Sequence, residues 1–418
     1  MRGRTWIVIG VVGAGAVAVT LLVAQDQRTV HVRSAMAVGD SRFVEQTALL
    51  LGTPVTQGVF RVLRNGDESF PPMLQAIRDA QHQVAFETYI YGEGAIPRAF
   101  TEALTAAAAR GVTVRLVLDA VGASDLSADA RERFARSGAR LLWYNELRPW
   151  TLESVNYRTH RKLLITDGAL AFTGGIGVAD YWAGDAGSSE QWRDTQFEVR
   201  GPVVRLLQGA FYDNWLEAGG LEAPAFGEPP PAPADALPCI VVWSGAVGGE
   251  SRIKLLYLLS IAAARKTLDI QSPYVVLDKS TLRALEEARA RGVRIRLLTE
   301  SEMTDARPVK YAGRASYQRL LSQGIEIHEY QPTMMHAKVT IIDGHWSIVG
   351  SANFDNRSLE LNDELMLGVA GASLAARLTR DFDRDITEAR RIRADDWPDR
   401  PVVERLRERF WSAFGEIF

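Results

Sequence analysis

The spaced pattern HxKxxxxD occurs twice in this chain, as HRKLLITD from His160 to Asp167 and as HAKVTIID from His336 to Asp343. With six His and six Lys in 418 residues, an HxK pair should arise by chance on the order of 0.1 times. Two occur, each with the later Asp. The following turns repeat as well, TGGIGVAD (173–180) and VGSANFDN (349–356), at matching distances from their histidines. A histidine can act as nucleophile or proton shuttle near neutral pH, and a lysine supplies a fixed positive charge for phosphate oxygens. Such a pair suits a phosphodiester. If a two-fold repeat brings both pairs to one cleft, two lysines bracket the phosphoryl group and two histidines stand on opposite sides of it. In-line displacement needs that arrangement.

The elements that must position these residues also repeat. Each motif begins on an apolar strand, KLLIT or KVTII, and ends in a turn, so the period of two places His and Lys on one face and Leu163, Ile165, Val339 and Ile341 toward the core. Before the first motif, FPPMLQAIRDAQ reads as a helix, VAFETYIY as a strand, PRAFTEALTAAAARG as a helix closed by Gly111, then VTVRLVLD and ARLLWYN as strands. The series returns as IKLLYLLSIAAARK, TLDIQSPYV, STLRALEEARARG closed by Gly292, VRIRLLTE and IEIHEYQ. GVTVRLVLD at Gly111 and GVRIRLLTE at Gly292 make the internal repeat visible. The fold expected is α/β, with one repeat over 58–220 and another over 239–390. The proline-rich stretch 221–238, with Pro229, Pro230 and Pro231 in a row, joins them as a linker.

The length accommodates two to three domains. A formal charge of −3 gives no support to nonspecific duplex binding, and no nucleic-acid partner is expected. Cys239 is the only cysteine, which excludes an internal disulfide and a thiolate metal cluster. At the N-terminus, Arg2 and Arg4 precede an uncharged apolar run from Trp6 to Ala24, long enough to span a bilayer. A membrane anchor over 1–25 is expected, with the side faced by the remainder left open by Arg28, Arg33 and Arg42. In the C-terminal segment 391–418, Val402, Leu406, Phe410, Trp411, Phe414 and Ile417 fall near one face of a helix. That face is expected to pack on the domain, the alternative being insertion into a membrane interface.

The paired motifs and the repeat around them resemble the phospholipase D superfamily over about residues 58 to 390. The resemblance implies two pseudo-symmetric α/β/α sandwich domains with one shared active site and a phosphohistidine intermediate, with neither metal nor cofactor. It implies His160 as nucleophile, His336 as general acid and base, and Lys162 and Lys338 as phosphate ligands. Asp167 and Asp343 complete the catalytic motif, although both end strands at turns and read as structural more than chemical. The family also places a carboxylate downstream of each motif to orient a histidine; WRDTQFEV and NDELMLGV supply Asp194 and Glu364 at corresponding positions. Asn353, seventeen residues after His336, is expected to bind phosphate. The first half departs from this, with Gly177 at the matching place, so Asn156 and Arg158 are possible substitutes. Glu87 and Gln271, at equivalent strand ends, are expected to line the site.

RTHRKLLITDG, QWRDTQFEVRGPVV, YQPTMMHAKVTIIDG and GSANFDNRSLELNDE are most similar to segments of bacterial cardiolipin synthases. That implies transfer of a phosphatidyl group from one phospholipid to a second, typically phosphatidylglycerol, with release of glycerol, at a bacterial inner membrane. A phospholipase D-type hydrolase and a non-catalytic membrane-attached module are the alternatives. Arg307, Lys310, Arg314 and Tyr317 cluster in TDARPVKYAGRASY and are expected to meet lipid headgroups.

Overall fold

The computed structural model describes residues 29–146, 157–222, 227–245 and 252–415. The first half contributes β1 (Thr56–Arg64), β2 (Gln83–Thr88), β3 (Thr113–Asp119), β4 (Arg140–Tyr144), β5 (Leu163–Thr166), β6 (Leu170–Gly174) and β7 (Thr195–Arg200). They lie side by side as β1-β7-β6-β5-β2-β3-β4. The second half contributes β8 (Leu237–Trp243), β9 (Thr267–Gln271), β11 (Arg294–Glu300), β12 (Glu326–Tyr330), β13 (Val339–Ile342), β14 (Trp346–Gly350), β16 (Leu365–Ala370) and β17 (Ala389–Ile392). Their order, β8-β16-β14-β13-β9-β11-β12-β17, is the first-half order repeated with one added edge strand. A separate short pair joins β10 (Val275–Val276) to β15 (Phe354–Asp355). The repeat read from the sequence is therefore a repeat of strand order.

The two halves share one sheet. β1 pairs antiparallel with β8 through Thr56 with Cys239 and Gly58 with Leu237, giving fifteen continuous strands. The proline-rich linker stays exposed over 227–229 and 231–235, and the chain enters β8 at Leu237.

Helices cover both faces because the buried strands are apolar on both. In chain order they are α1 (Phe43–Leu51), α2 (Asn65–Asp79), α3 (Ala95–Ala109), α4 (Ala128–Ser137), α5 (Val203–Glu217), α6 (Arg252–Ala263), α7 (Lys279–Ala290), α8 (Arg307–Arg314), α9 (Tyr317–Ser322), α10 (Asn356–Glu360), α11 (Ala372–Thr387) and α12 (Val402–Ser412). One core, containing Leu207, Phe211 and Trp215 of α5 and Leu374, Leu378 and Phe382 of α11, runs beneath both halves. Leu163, Ile165, Val339 and Ile341 all belong to it, as alternation along the motif strands requires. The opposite face has two separate cores, one per half. The shared core makes the halves one folding unit around the seam.

Two expectations about surface helices fail, the second in part. Lys310, Arg314 and Tyr317 are buried, so the basic cluster does not face lipid. Lys310 pairs with Glu302 at 2.6 Å, Arg314 lies 3.3 Å from Glu329, and Tyr317 packs on Trp397. Only Arg307 of the four is exposed. The apolar face of α12 packs only in part: Val402, Leu406 and Phe410 are exposed, whereas Trp411 and Phe414 are half-buried. Ile417 and the apolar run Trp6–Ala24 lie outside the described residues. Among the described residues no helix is long and apolar enough to cross a membrane.

Candidate active site

The site is built where the segment before each motif meets the segment before the opposite half's carboxylate. The His160 backbone N–H donates to Asp363 O at 2.8 Å, and that of His336 donates to Arg193 O at 2.7 Å. Thr159 bridges to Asp363, and Arg193 to Met335, in the same parallel sense. These paired crossings bring Glu364 to His160 and Asp194 to His336. His160 Nδ1 lies 2.8 Å from Glu364 Oε1, and His336 Nδ1 lies 2.8 Å from Asp194 Oδ2. Each histidine is thus oriented by a carboxylate from the other half of the chain.

A carboxylate only accepts, so the Nδ1–H donates and Nε2 keeps its lone pair. Burial alone would raise the Glu364 carboxyl, but His160 and Lys162 beside it hold it below the usual range. Burial lowers His160 to about 4 and His336 to about 3. The lysines feel the same desolvation: Lys162 falls to about 7 and Lys338 to about 8. Both carboxylates raise each lysine, and each lysine lowers the opposite histidine. The six groups share one field. Each ammonium donates one hydrogen bond to its own motif's histidine carbonyl, Lys162 to His160 O at 2.7 Å and Lys338 to His336 O at 2.5 Å. The two ammonium groups are balanced by the two carboxylates, and a phosphodiester anion entering beside the lysines would favour their charged forms.

The halves differ in how each carboxylate is held. Ser351 Oγ donates to Glu364 Oε2 at 2.5 Å. At the equivalent place the first half has Gly175, where an added Cβ would sit 2.2 Å from Asp194 Oδ1. Trp182 supplies the donor instead, its Nε1 reaching Asp194 Oδ2 at 3.0 Å. The same ring explains Gly177, since a Cβ there would meet Trp182 carbons at 2.7 and 2.8 Å. An asparagine matching Asn353 has no room. Trp182 and Trp192 wall His336 with ring centroids 5.5 and 5.2 Å away, whereas Tyr89 edges His160 at 5.3 Å. Side-chain exposure follows this difference, 12 % for His160 and 5 % for His336.

The remaining candidates divide into those at the site and those behind it. Asn353 is buried with no partner on its Oδ1; a phosphate contact would come from its Nδ2–H. Glu87 is buried and accepts from Thr159 at 2.5 Å and Asn214 at 2.6 Å, so it braces the segment before His160 and does not line the cleft. Gln271 likewise donates to Asp385 Oδ2 at 2.9 Å, and Asp385 holds Arg193 beside Asp194. Arg158 turns to Asn145 O at 2.7 Å and Asp119 at 3.3 Å, away from a phosphate-binding role. Asn156 lies outside the described residues.

Asp167 and Asp343 are not brought to the site. Asp167 accepts from the backbone N–H groups of Gln81, His82 and Gln83, and Asp343 from those of Arg265, Lys266 and Thr267. They close turns at the far ends of β5 and β13, and both adopt positive φ, 51° and 52°. The motif's third residue is structural in both halves. Among the described residues no group of three or more His, Cys, Asp or Glu is arranged to hold a metal.

The family model described as cardiolipin synthase, PLD-like domain, matches residues 73–181 and 257–386. The chain belongs to this family. It is an enzyme of the phospholipase D superfamily. Cardiolipin synthase 2 of Bacillus cereus is 32 % identical over 352 residues, covering 83 % of this chain and 68 % of that protein. The cardiolipin synthase of Geobacillus kaustophilus is 32 % identical over 351 residues, covering 83 % and 70 %. In three dimensions the fold is similar to phosphatidylserine synthase of Haemophilus influenzae, with a TM-score of 0.69 and 12 % identity over 90 % of this chain and all of that one. Within this PLD-like family, the His160–Glu364 pair joins the two matched segments, and Asp194, between them in the chain, serves His336.

Proposed function

We propose that the chain is a phosphatidyltransferase that makes cardiolipin from phosphatidylglycerol and a second phospholipid through a phosphohistidine intermediate. The observation that carries this reading is the crossed pairing, which leaves two imidazole Nε2 atoms and two lysines in one field. His160, neutral and the more exposed, attacks phosphorus through Nε2, and the bond from phosphorus to the leaving headgroup alcohol breaks. His336 gives that alkoxide its proton. The acceptor lipid's hydroxyl then loses its proton to His336 and attacks phosphorus, and the phosphorus–nitrogen bond breaks to restore His160. Lys162 and Lys338 balance the phosphoryl charge, and Asn353 adds an amide contact.

His336 must carry a proton when the first bond breaks, yet burial and Lys338 favour its neutral form in the free enzyme. An anionic phosphodiester supplies the missing charge: it offsets both lysines and raises His336, so proton uptake accompanies substrate binding. Membrane attachment through the run Trp6–Ala24 would hold the cleft at the bilayer where donor and acceptor reside.

Headgroup-labelled and acyl-labelled phosphatidylglycerol in vesicles test the reading. Cardiolipin with one glycerol released per product supports it, whereas phosphatidic acid as the sole lipid product would replace it with hydrolysis.

A further inference from the structure

The helix α12 is docked through its polar side. Glu408 is 3 % exposed, accepts from both terminal nitrogens of Arg400 and lies 3.9 Å from Arg314, while Arg407 reaches the Tyr311 hydroxyl at 3.0 Å. The opposite side presents Val402, Val403, Leu406 and Phe410, which are 59, 65, 62 and 58 % exposed. Val402, Leu406 and Phe410 recur every fourth residue and form one stripe. Arg405 and Arg409 stand exposed beside it, and neither enters an ion pair among the described residues. A surface helix of a water-facing domain buries its apolar stripe and solvates its charges. Here the stripe is exposed while Glu408 is the charge turned inward, and an apolar stripe bordered by arginines suits the boundary between anionic headgroups and acyl chains.

Its placement points the same way. Just past the helix, Gly415 O accepts from Asn356 Nδ2 at 3.1 Å, and a Cβ on Gly415 would lie 3.4 Å from Val276 of β10. The next residue after Asn356 is Arg357, whose charge acts on Tyr89, the ring against His160. The described N-terminal stretch leads to the same corner. It runs along α7 from Ser34 and Met36, whose carbonyls accept from Arg265, past His31 at Glu287, to Val30, whose N–H donates to Ser280 in the first turn. The apolar run Trp6–Ala24 precedes that point in the chain.

We infer that the Val402–Leu406–Phe410 stripe inserts into the interfacial layer of an anionic bilayer and turns the catalytic cleft toward it. The inference rests on the phosphatidyl-transfer reading for its choice of a lipid surface. The full chain carrying Leu406→Cys, labelled with an environment-sensitive fluorophore, tests it, because Cys239 is buried and does not compete for label. On vesicles of phosphatidylglycerol and phosphatidylcholine, the label emission should shift to the blue and be quenched by spin-labelled lipid. A label at Arg393→Cys should do neither. Solvent-like emission from vesicle-bound protein would overturn the inference. So would blue-shifted emission without quenching, since the stripe would then be covered by protein.

Leu406→Glu with Phe410→Glu should lower turnover of vesicular phosphatidylglycerol about tenfold or more while sparing short-chain monomeric substrate. Equal turnover of both would contradict the inference. Should the wild type transfer nothing from phosphatidylglycerol, the reading of the catalytic site fails, and the quenching result still decides the docking surface on its own.

Discussion

Each imidazole takes its orienting carboxylate from the other half, so a substitution in one half should disable chemistry begun in the other. Glu364→Gln can donate to Nδ1 and favours the tautomer with Nε2 protonated, and kcat should fall on the order of 10⁴. Trp182→Phe keeps the ring against Gly177 but removes the donor to Asp194; kcat should drop about 10- to 100-fold with KM little changed, measured on vesicular substrate. The pH profile of kcat/KM reports the free enzyme. Lys162 and Lys338 hold their charge below about 7 and 8, so kcat/KM should decline as pH rises through that window. Lys162→Arg, whose charge persists, should move the decline upward toward the limit set by Lys338. The histidines and lysines were legible from spacing, and the two carboxylates from the family resemblance. Their crossed partnership was not, because equal offsets in a repeat cannot say which half supplies a partner. Trp182 carried no motif at all; only the gap at Gly177 marked where something else must fill space.

At the scale of elements, the motif aspartates secure strand ends. Asp167→Ala or Asp343→Ala strips the acceptor from three backbone N–H groups. Each should lower unfolding free energy by about 1–3 kcal/mol in denaturant titrations, with the folded fraction keeping near-normal kcat. Gly177→Asn should fail to restore symmetry: displacing Trp182 costs about 1–3 kcal/mol of stability and lowers activity as well. Strand and helix order was readable because apolar period and glycine stops recur in both halves. The faces of α8 and α12 were not. Helical spacing groups Lys310 with Arg314, and Leu406 with Phe410, but the side turned inward is chosen by partners outside each helix, Glu302, Glu329 and Arg400. A sequence pattern names a face without naming its neighbour.

Across the whole molecule, the continuous sheet and the core shared by α5 and α11 hold the halves together without help from the linker. A protease site placed within 231–235 should therefore yield two fragments that co-elute and keep activity after cleavage. Separation or loss of activity on cleavage would show that the linker, not the seam, maintains the site. The pseudo-symmetry was legible from the doubled motif, while the unequal surroundings of the two histidines emerge only once the chain is folded. That inequality is the ground for the roles we propose, with His160 attacking and His336 moving the proton. The most direct test is to trap the covalent phosphoenzyme with a phosphatidyl donor bearing a phenolate leaving group, which needs no proton, and to map the modified peptide. In His336→Ala the phosphatidyl group should accumulate on His160, and His160→Ala should form no adduct. An adduct on His336 in the His160→Ala protein would contradict the account.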